Sequence, residues 1–478
     1  MSTKKSFFKG VAFIAAAKYS GIIVSLIVTS ILARILSPAD FGVVAIATVF
    51  IVFFSLLSDL GIGPAIIQFK QLTRDDFRSI FGLSFWMAIL LSLLFVATSP
   101  FIASFYGRPI LINVCSWLSL QSFFTTLNIV PNALLLRERK FDVIAYRNVS
   151  IQVFCGALAV WAAYSEWGIY ALILNPILSA FITLIVNVYY MKLSMRIIPR
   201  MAPIKLIFSF SAYQFLFNFV NYFGRNLDKL IIGKAINVEQ LGYYEKSYRL
   251  MQLPIQNING VFDPVLLPYL SESQNDWGRI HSIFDRMTRI LFYISLPLTA
   301  MLLSCSREII LVLFGNQWLA AVPCFTILSI SVATQIPICP VGGILQACNQ
   351  TKLLFNLGNQ NVAMALMGLI IATFAFGTIE SIATAFVITA AMVAVNTFHT
   401  VYGKCFHSSA RKIPRMIWRP FVLSILMIVV LKGIEYLIPM HFLVSLFVKG
   451  TIGLLMTFVF FQNFTDYKIF SILKQIKN

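Results

Sequence analysis

The chain has 478 residues, 59% of them hydrophobic and 12% charged, with a net charge of +19, and its mean hydropathy is +0.84. That charged share is about half of what a soluble domain carries, which excludes a water-soluble enzyme or carrier. What remains is an integral membrane protein, whose surplus of positive charge belongs to cytoplasmic loops rather than to nucleic-acid binding.

The apolar runs are long and continuous, unlike the short alternating segments of a β-barrel, and they predict an all-α polytopic protein. Fourteen spans are expected, at about 11–33, 43–64, 80–104, 110–133, 148–165, 168–190, 208–236, 242–268, 290–306, 320–347, 354–376, 381–402, 420–438 and 441–463. Lys4, Lys5 and Lys9 precede the first run as in a signal peptide, but the run continues to Ala33 and reads as an uncleaved first span.

Lysine and arginine fall unevenly between the two sides. The N-terminus, alternate loops and the tail hold 26 of them, against three on the opposite side (Arg34, Arg108 and Arg307) and eight within spans, accounting for all 37. This asymmetry predicts that both termini lie in the cytoplasm.

The chain also resembles itself at an offset of 200 residues. Arg34 matches Lys234, Gly42 matches Gly242, and Pro64 matches Pro264. Six spans per repeat keep both halves in one orientation, so two six-helix lobes are expected, residues 1–200 and 201–405, related by an axis along the membrane normal. Spans 13 and 14, with the tail (406–478), stand outside the repeat.

Span 7 and span 8 carry the densest charge: Arg225, Asp228, Lys229, Lys234, Glu245, Lys246 and Arg249. Three charges facing lipid would cost about 8 to 10 kcal/mol, so they are expected to face protein or a water-filled cavity. The repeat places Arg225, Asp228 and Lys229 opposite Ser25, Val28 and Thr29, well inside span 1. Arg225 lies three and four residues before Asp228 and Lys229, so the three share a helix face, and Glu245 and Arg249 form an i,i+4 pair. Local ion pairing accounts for Asp228 and Glu245 as readily as ion coupling does. The basic surplus, joined by Lys18 from span 1, suits an anionic ligand, since arginine grips phosphate oxygens through a bidentate fork.

Asp59 and Asp263 end spans 2 and 8. Each is either a site for a coupling proton or sodium ion or, the favoured reading, a helix-end residue near the cytoplasmic surface. Lys432 and Lys449 are expected to snorkel towards lipid headgroups. Pro131, Pro337 and Pro340 interrupt spans 4 and 10, as hinges or as structural kinks. The basic run Leu136–Phe141 fits anionic headgroups or, more sharply, guides a diphosphate. Neither the seven cysteines nor the four histidines show metal spacing, and no phosphate-binding loop is present.

Several stretches carry a family resemblance: Leu36-Ser37-Pro38-Ala39-Asp40-Phe41-Gly42, Arg139-Lys140-Phe141, Arg225-Asn226-Leu227-Asp228-Lys229 through Gly233, Leu241-Gly242-Tyr243-Tyr244 through Pro254, and Phe314-Gly315-Asn316-Gln317-Trp318. Over roughly residues 5–430 the chain resembles the Wzx-type polysaccharide flippases, in the branch related to the colanic acid exporter. The resemblance implies a bacterial inner-membrane transporter, not an enzyme, that flips undecaprenyl-diphosphate-linked oligosaccharide to the periplasmic leaflet by alternating access. It further implies proton or sodium coupling, with membrane lipids and the polysaccharide polymerase and export machinery as partners. The diphosphate is then expected on Arg225, Lys229, Lys246, Arg249 and Lys18, with Asp228, Glu245, Asp59 and Asp263 as ion-coupling or charge-pairing groups. A multidrug or cation exporter of the same superfamily would need acidic residues where these are basic, and a non-transporting scaffold would make the intramembrane charges dispensable.

Overall fold

The computed structural model describes residues 2–59, 61–200, 222, 226–271 and 276–464, with side chains from Lys18 onward except at 59, 261–265, 267–269, 271 and 464. The described residues are almost entirely helical. They fall into two compact units, Met1–Gly242 and Tyr243–Asn478.

In the first unit the helices are α1 (Ser2–Ile35), α2 (Pro38–Asp59), α3 (Ile62–Gln68), α4 (Arg74–Tyr106), α5 (Ile110–Leu127), α6 (Ile129–Arg137), α7 (Phe141–Tyr164) and α8 (Ile169–Met191). A helical segment over residues 226–235, α9, follows. The 33 residues of α4 make a rod of about 50 Å, more than the hydrocarbon thickness. Its start is fixed by a reciprocal cap in which Thr73 Oγ1 accepts from Asp76 N–H and Asp76 Oδ2 accepts from Thr73 N–H at 2.9 Å. Its end turns at Gly107, whose φ of 64° needs no strain in glycine. Ala65, Ile66, Ile80, Val130 and Leu135 form a buried apolar core where α3, α4 and α6 meet.

The second unit contains α10 (Val238–Ser271, which begins just before the division), α11 (Trp277–Ser304), α12 (Ser306–Leu313), a 3₁₀ turn (Asn316–Ala321), α13 (Val322–Ile330), α14 (Val332–Gln335) and α15 (Val341–Ala347). Then come α16 (Thr351–Ala375), α17 (Ile379–Thr400), a π turn (Val401–Cys405), α18 (Ile413–Leu437) and α19 (Phe442–Phe464). Leu270, Ile280, Phe284, Ile344 and Tyr402 centre its core, and α18 adds Leu423 and Met427 against Ala300.

Twelve stretches among the described residues are long and apolar enough to cross a membrane, and each falls on one of the predicted spans. Of the other two, span 7 lies mostly outside the described residues. Span 8 is α10, a helix of 34 residues whose charges lower its hydropathy. Leu90, Leu93, Phe101, Phe374 and Phe447 are all exposed, as side chains that meet lipid rather than water would be.

Two boundaries differ from the sequence reading. Span 9 begins at Trp277 instead of 290, because the charged stretch 279–289 is an amphipathic helical extension: Ile280 and Phe284 are buried while Asp285 accepts from the Tyr402 hydroxyl at 2.5 Å and lies 3.8 Å from the Lys412 ammonium. Span 10 is a chain of short helices with a turn over 336–340, where Pro337 and Pro340 withhold two backbone donors.

Two helix starts lie 200 residues apart. Helices α2 and α10 begin at Pro38 and Val238, and the residue before each supplies a cap: Ser37 exchanges hydrogen bonds with Asp40, and Asn237 Oδ1 accepts from Gln240 N–H at 2.7 Å. These helix starts touch reciprocally. A Cβ at Gly42 would lie 1.8 Å from the Val238 carbonyl oxygen, and one at Gly242 would lie 2.1 Å from the Pro38 carbonyl oxygen. Only glycine lets two backbones approach this closely.

Candidate functional site

The charged stretch around α9 and α10 is held by specific local chemistry. Asp228 and Lys229 are half-buried, and Asp228 Oδ1 accepts the Lys229 backbone N–H at 2.8 Å. Lys234 is exposed; its ammonium donates to the Phe105 carbonyl at the end of α4 and sits 4.7 Å above the Phe105 ring. A cation at a helix C-terminus meets the negative end of the dipole, so this lysine is spent on α4.

On α10, Lys246 is 5% exposed with its ammonium 5.8 Å from the centre of the Phe314 ring. Phe314 and Tyr243 both pack on the fully buried Trp318, at 5.5 and 5.8 Å between ring centres. Ser247 Oγ donates to the Ala321 carbonyl at 3.2 Å. The Phe314–Trp318 motif is therefore the wall against which the charged turn of α10 is seated, and the aromatic faces partly repay the desolvation of Lys246. Glu245 is half-buried and Arg249 exposed on the same helix. Tyr244 stacks on Tyr248, and Tyr248 meets Phe386 edge-on.

Arg225 lies outside the described residues, as do the side chains of Asp59 and Asp263. Lys18 is exposed and lines a cavity between α1 and α7 in the first unit. In the basic run 136–141, Arg137 donates to the carbonyls of Ile66, Phe69 and Lys70 at 2.6 to 3.0 Å, capping α3, and Lys140 pairs with Glu138 at 2.8 Å. Among the described residues no group of three or more histidine, cysteine or acidic side chains could hold a metal.

Two charge clusters escaped the sequence reading. Arg147, counted there as a loop residue, is a helical residue of α7 and 9% exposed. Its guanidinium donates to Asn148 Oδ1 from Nε and Nη2 (3.1 and 2.8 Å), to Asn132 Oδ1 at 3.4 Å and to Asn187 Oδ1, while Asn187 Nδ2 reaches Asn128 Oδ1 at 2.7 Å. Asn128 stands at the break between α5 and α6, three residues before Pro131, so the amides join that break to α7 and α8. Replacing Arg147 by methionine is expected to strand these oxygens and destabilise the protein by roughly 2 to 4 kcal/mol. Arg147→Lys should not restore it, because an ammonium lacks the fork. Fluorescence-monitored melting in detergent measures both.

The second cluster corrects the expectation for Lys449. This lysine does not snorkel: it is 0% exposed, its ammonium meets Glu308 of α12, lies 2.9 Å from Glu435 of α18 and donates to the Ser304 carbonyl at 3.0 Å. Ser445 Oγ adds a bond to Glu308 at 2.7 Å. Two carboxylates within the protein neutralise the charge more favourably than a stretched path to headgroups would. Lys432 is exposed and pairs with Glu435 at 3.3 Å.

Residues 31–323 match the sequence model of a family described as polysaccharide biosynthesis protein. The chain belongs to this family. Among curated relatives of the polysaccharide biosynthesis protein, the teichuronic acid biosynthesis protein TuaB of Bacillus subtilis is 28% identical over 64% of this chain and 63% of its own length. The matched part thus spans less than two thirds of that relative. The lipopolysaccharide biosynthesis protein WzxC of Escherichia coli is 22% identical over 90% of this chain and 88% of its own. Among solved structures, the lipid II flippase MurJ in an inward closed conformation superposes with a TM-score of 0.72 at 13% identity, covering 94% of this chain and 99% of that one. The fold is therefore the polytopic helical fold of that structure.

Proposed function

We propose that this polysaccharide biosynthesis protein flips undecaprenyl-diphosphate-linked oligosaccharide from the cytoplasmic to the periplasmic leaflet of the bacterial inner membrane, acting as a transporter and not an enzyme. The observation that carries the reading is basic charge placed on helices of a polytopic membrane fold: Lys246 is buried against the Phe314 ring, with Arg249 one turn along. Between 225 and 249 there are five basic and three acidic residues; even with Lys234 held at the end of α4, the basic excess, joined by Lys18, offsets charge on a diphosphate on its way past hydrocarbon while the prenyl chain stays in lipid.

In this reading the protein has two six-helix lobes, 1–200 and 201–405, with spans 13 and 14 outside the repeat and both termini cytoplasmic. The matching helix starts and caps at 37–38 and 237–238 support the repeat, and the 26 to 3 division of basic residues supports the orientation. Arg225, Lys229, Lys246, Arg249 and Lys18 bind the diphosphate. Asp228, Glu245, Asp59 and Asp263 pair charge or carry a coupling proton or sodium ion. The polymerase and export machinery receive the product.

Arg225→Ala and Arg249→Ala are each expected to abolish glycan export with membrane insertion unchanged; full export by both variants would refute the phosphate-binding role. Deleting the gene should cause a lipid-linked saccharide to accumulate on the cytoplasmic side, where mass spectrometry identifies its sugars.

A further inference from the structure

Between α1 and α7 the first unit encloses a cavity of ≈ 600 Å³. Its lining joins apolar Ile22, Ile144 and Val149 to Lys18, Asn148 and Gln152, and the exposed Lys18 and Asn148 mark its rim. Among the described residues no carboxylate lines it, and Lys18 has no acidic partner.

The rim's polarity is set from behind. Asn148 Oδ1 accepts from both Nε and Nη2 of Arg147, and since a guanidinium only donates, the amide's oxygen must face it and its NH₂ must point away. Asn148 is itself exposed and lines the cavity, so its two free donors are available there. All hydrogen-bond partners of Arg147 are neutral amides, which leaves its positive charge uncompensated close behind the rim. Donors and positive charge at one edge select an anion with acceptor oxygens, while the apolar wall selects a ligand that continues as hydrocarbon.

We propose that this cavity binds the phosphate of a membrane lipid. Lys18 and the Asn148 amide hold phosphate oxygens, and the first carbons of the lipid chain lie along Ile22, Ile144 and Val149. The same chemistry is offered by a prenyl diphosphate carrier and by a resident glycerophospholipid. The cavity contains none of the residues of the Arg225–Arg249 stretch and shares only Lys18 with the diphosphate-binding set proposed above; lipid binding here does not require that the protein flips anything, and only the identity of the lipid bears on that.

Native mass spectrometry of the purified full-length protein, delipidated in detergent and titrated separately with undecaprenyl diphosphate, phosphatidylglycerol and uncharged diacylglycerol, tests it. Wild-type protein should bind one or both phospholipid-type probes well above diacylglycerol. Lys18→Gln and Asn148→Leu should each weaken that binding about tenfold, the loss of one charge-assisted or polarised hydrogen bond. Gly21→Leu should block it by filling the cavity; its added Cβ meets only the Gln152 side-chain oxygen at 2.9 Å, a flexible end that can move aside. Binding of undecaprenyl diphosphate alone assigns the site to the carrier, and equal binding of both anionic lipids assigns it to any phosphate-bearing lipid of the leaflet. Unchanged binding in Lys18→Gln and Gly21→Leu, or diacylglycerol bound as well as the anionic lipids, overturns the proposal. Lys18 is exposed, so its variant decides the matter even where Asn148→Leu disturbs Arg147. A strain with wild-type export after Arg225→Ala and Arg249→Ala, together with Lys18-dependent lipid binding, would remove Arg225 and Arg249 from the flippase reading and leave this cavity standing.

Discussion

Alanine at Gly242, or at Gly42, should reduce glycan export by about tenfold or more while the protein still inserts and accumulates. The new methyl would lie 2.1 Å from the Pro38 carbonyl oxygen in one case and 1.8 Å from the Val238 carbonyl oxygen in the other. Both obstacles are backbone atoms of capped helix starts, so neither can rotate out of the way, and the helices must part by over an ångström. Overpacking of this kind costs about 1 to 3 kcal/mol, which is enough to depopulate one conformation of a transporter by about 5- to 150-fold. Complementation of a deletion strain, scored by surface polysaccharide and by protein level on blots, separates lost transport from lost protein. Wild-type export from both alanine variants would show that this crossing is not a fixed contact in any state the transport cycle needs.

Lys449→Met should have a larger effect on the protein itself, lowering its stability by about 3 to 5 kcal/mol, because it abandons a buried carboxylate without its cation. Glu308 is 5% exposed and keeps only the Ser445 hydroxyl, while Glu435 retains the exposed Lys432. Since the ammonium joins α12, α18 and α19, the damage should show as proteolysis between 405 and 413 or within α18 and α19. Adding Glu308→Gln to Lys449→Met should recover much of the loss, because a neutral amide still accepts from Ser445 and no longer needs a counter-charge. Limited proteolysis and detergent melting of the single and double variants measure this; equal melting of Lys449→Met and wild type would mean that the ion pair contributes nothing net.

Apolar run length made the twelve spans legible, since each is a local property of 18 or more residues. Gly42 and Gly242 stood out because they keep their places at the 200-residue offset without gaps, and the structure shows why glycine is needed at each. Pro337 and Pro340 announced the break in span 10 through missing backbone donors. By contrast, Glu308, Glu435 and Lys449 are 127 and 14 residues apart in succession and share no helix, so no periodicity links them. Arg147 was misread for a different reason. Counting basic residues near span ends treats each as a loop residue, whereas four asparagines from three parts of the chain give this one a place inside. The extension of α11 was hidden by its own charges, which lower hydropathy without stopping a helix. The charged turn of α10 was found by its anomaly, but its aromatic seat, formed by residues some seventy positions later, was visible only as a family motif.

The amide cage around Arg147 has a consequence for how the first unit responds to its surroundings. Asparagine side chains neither take up nor release protons, and a guanidinium holds its proton throughout the physiological range. The field this group projects towards α1 is accordingly constant, indifferent to the proton gradient across the membrane. The pull of this guanidinium on whatever the cavity binds therefore does not change with pH, and any step driven by protons has to act through titratable groups other than Arg147 and its asparagines.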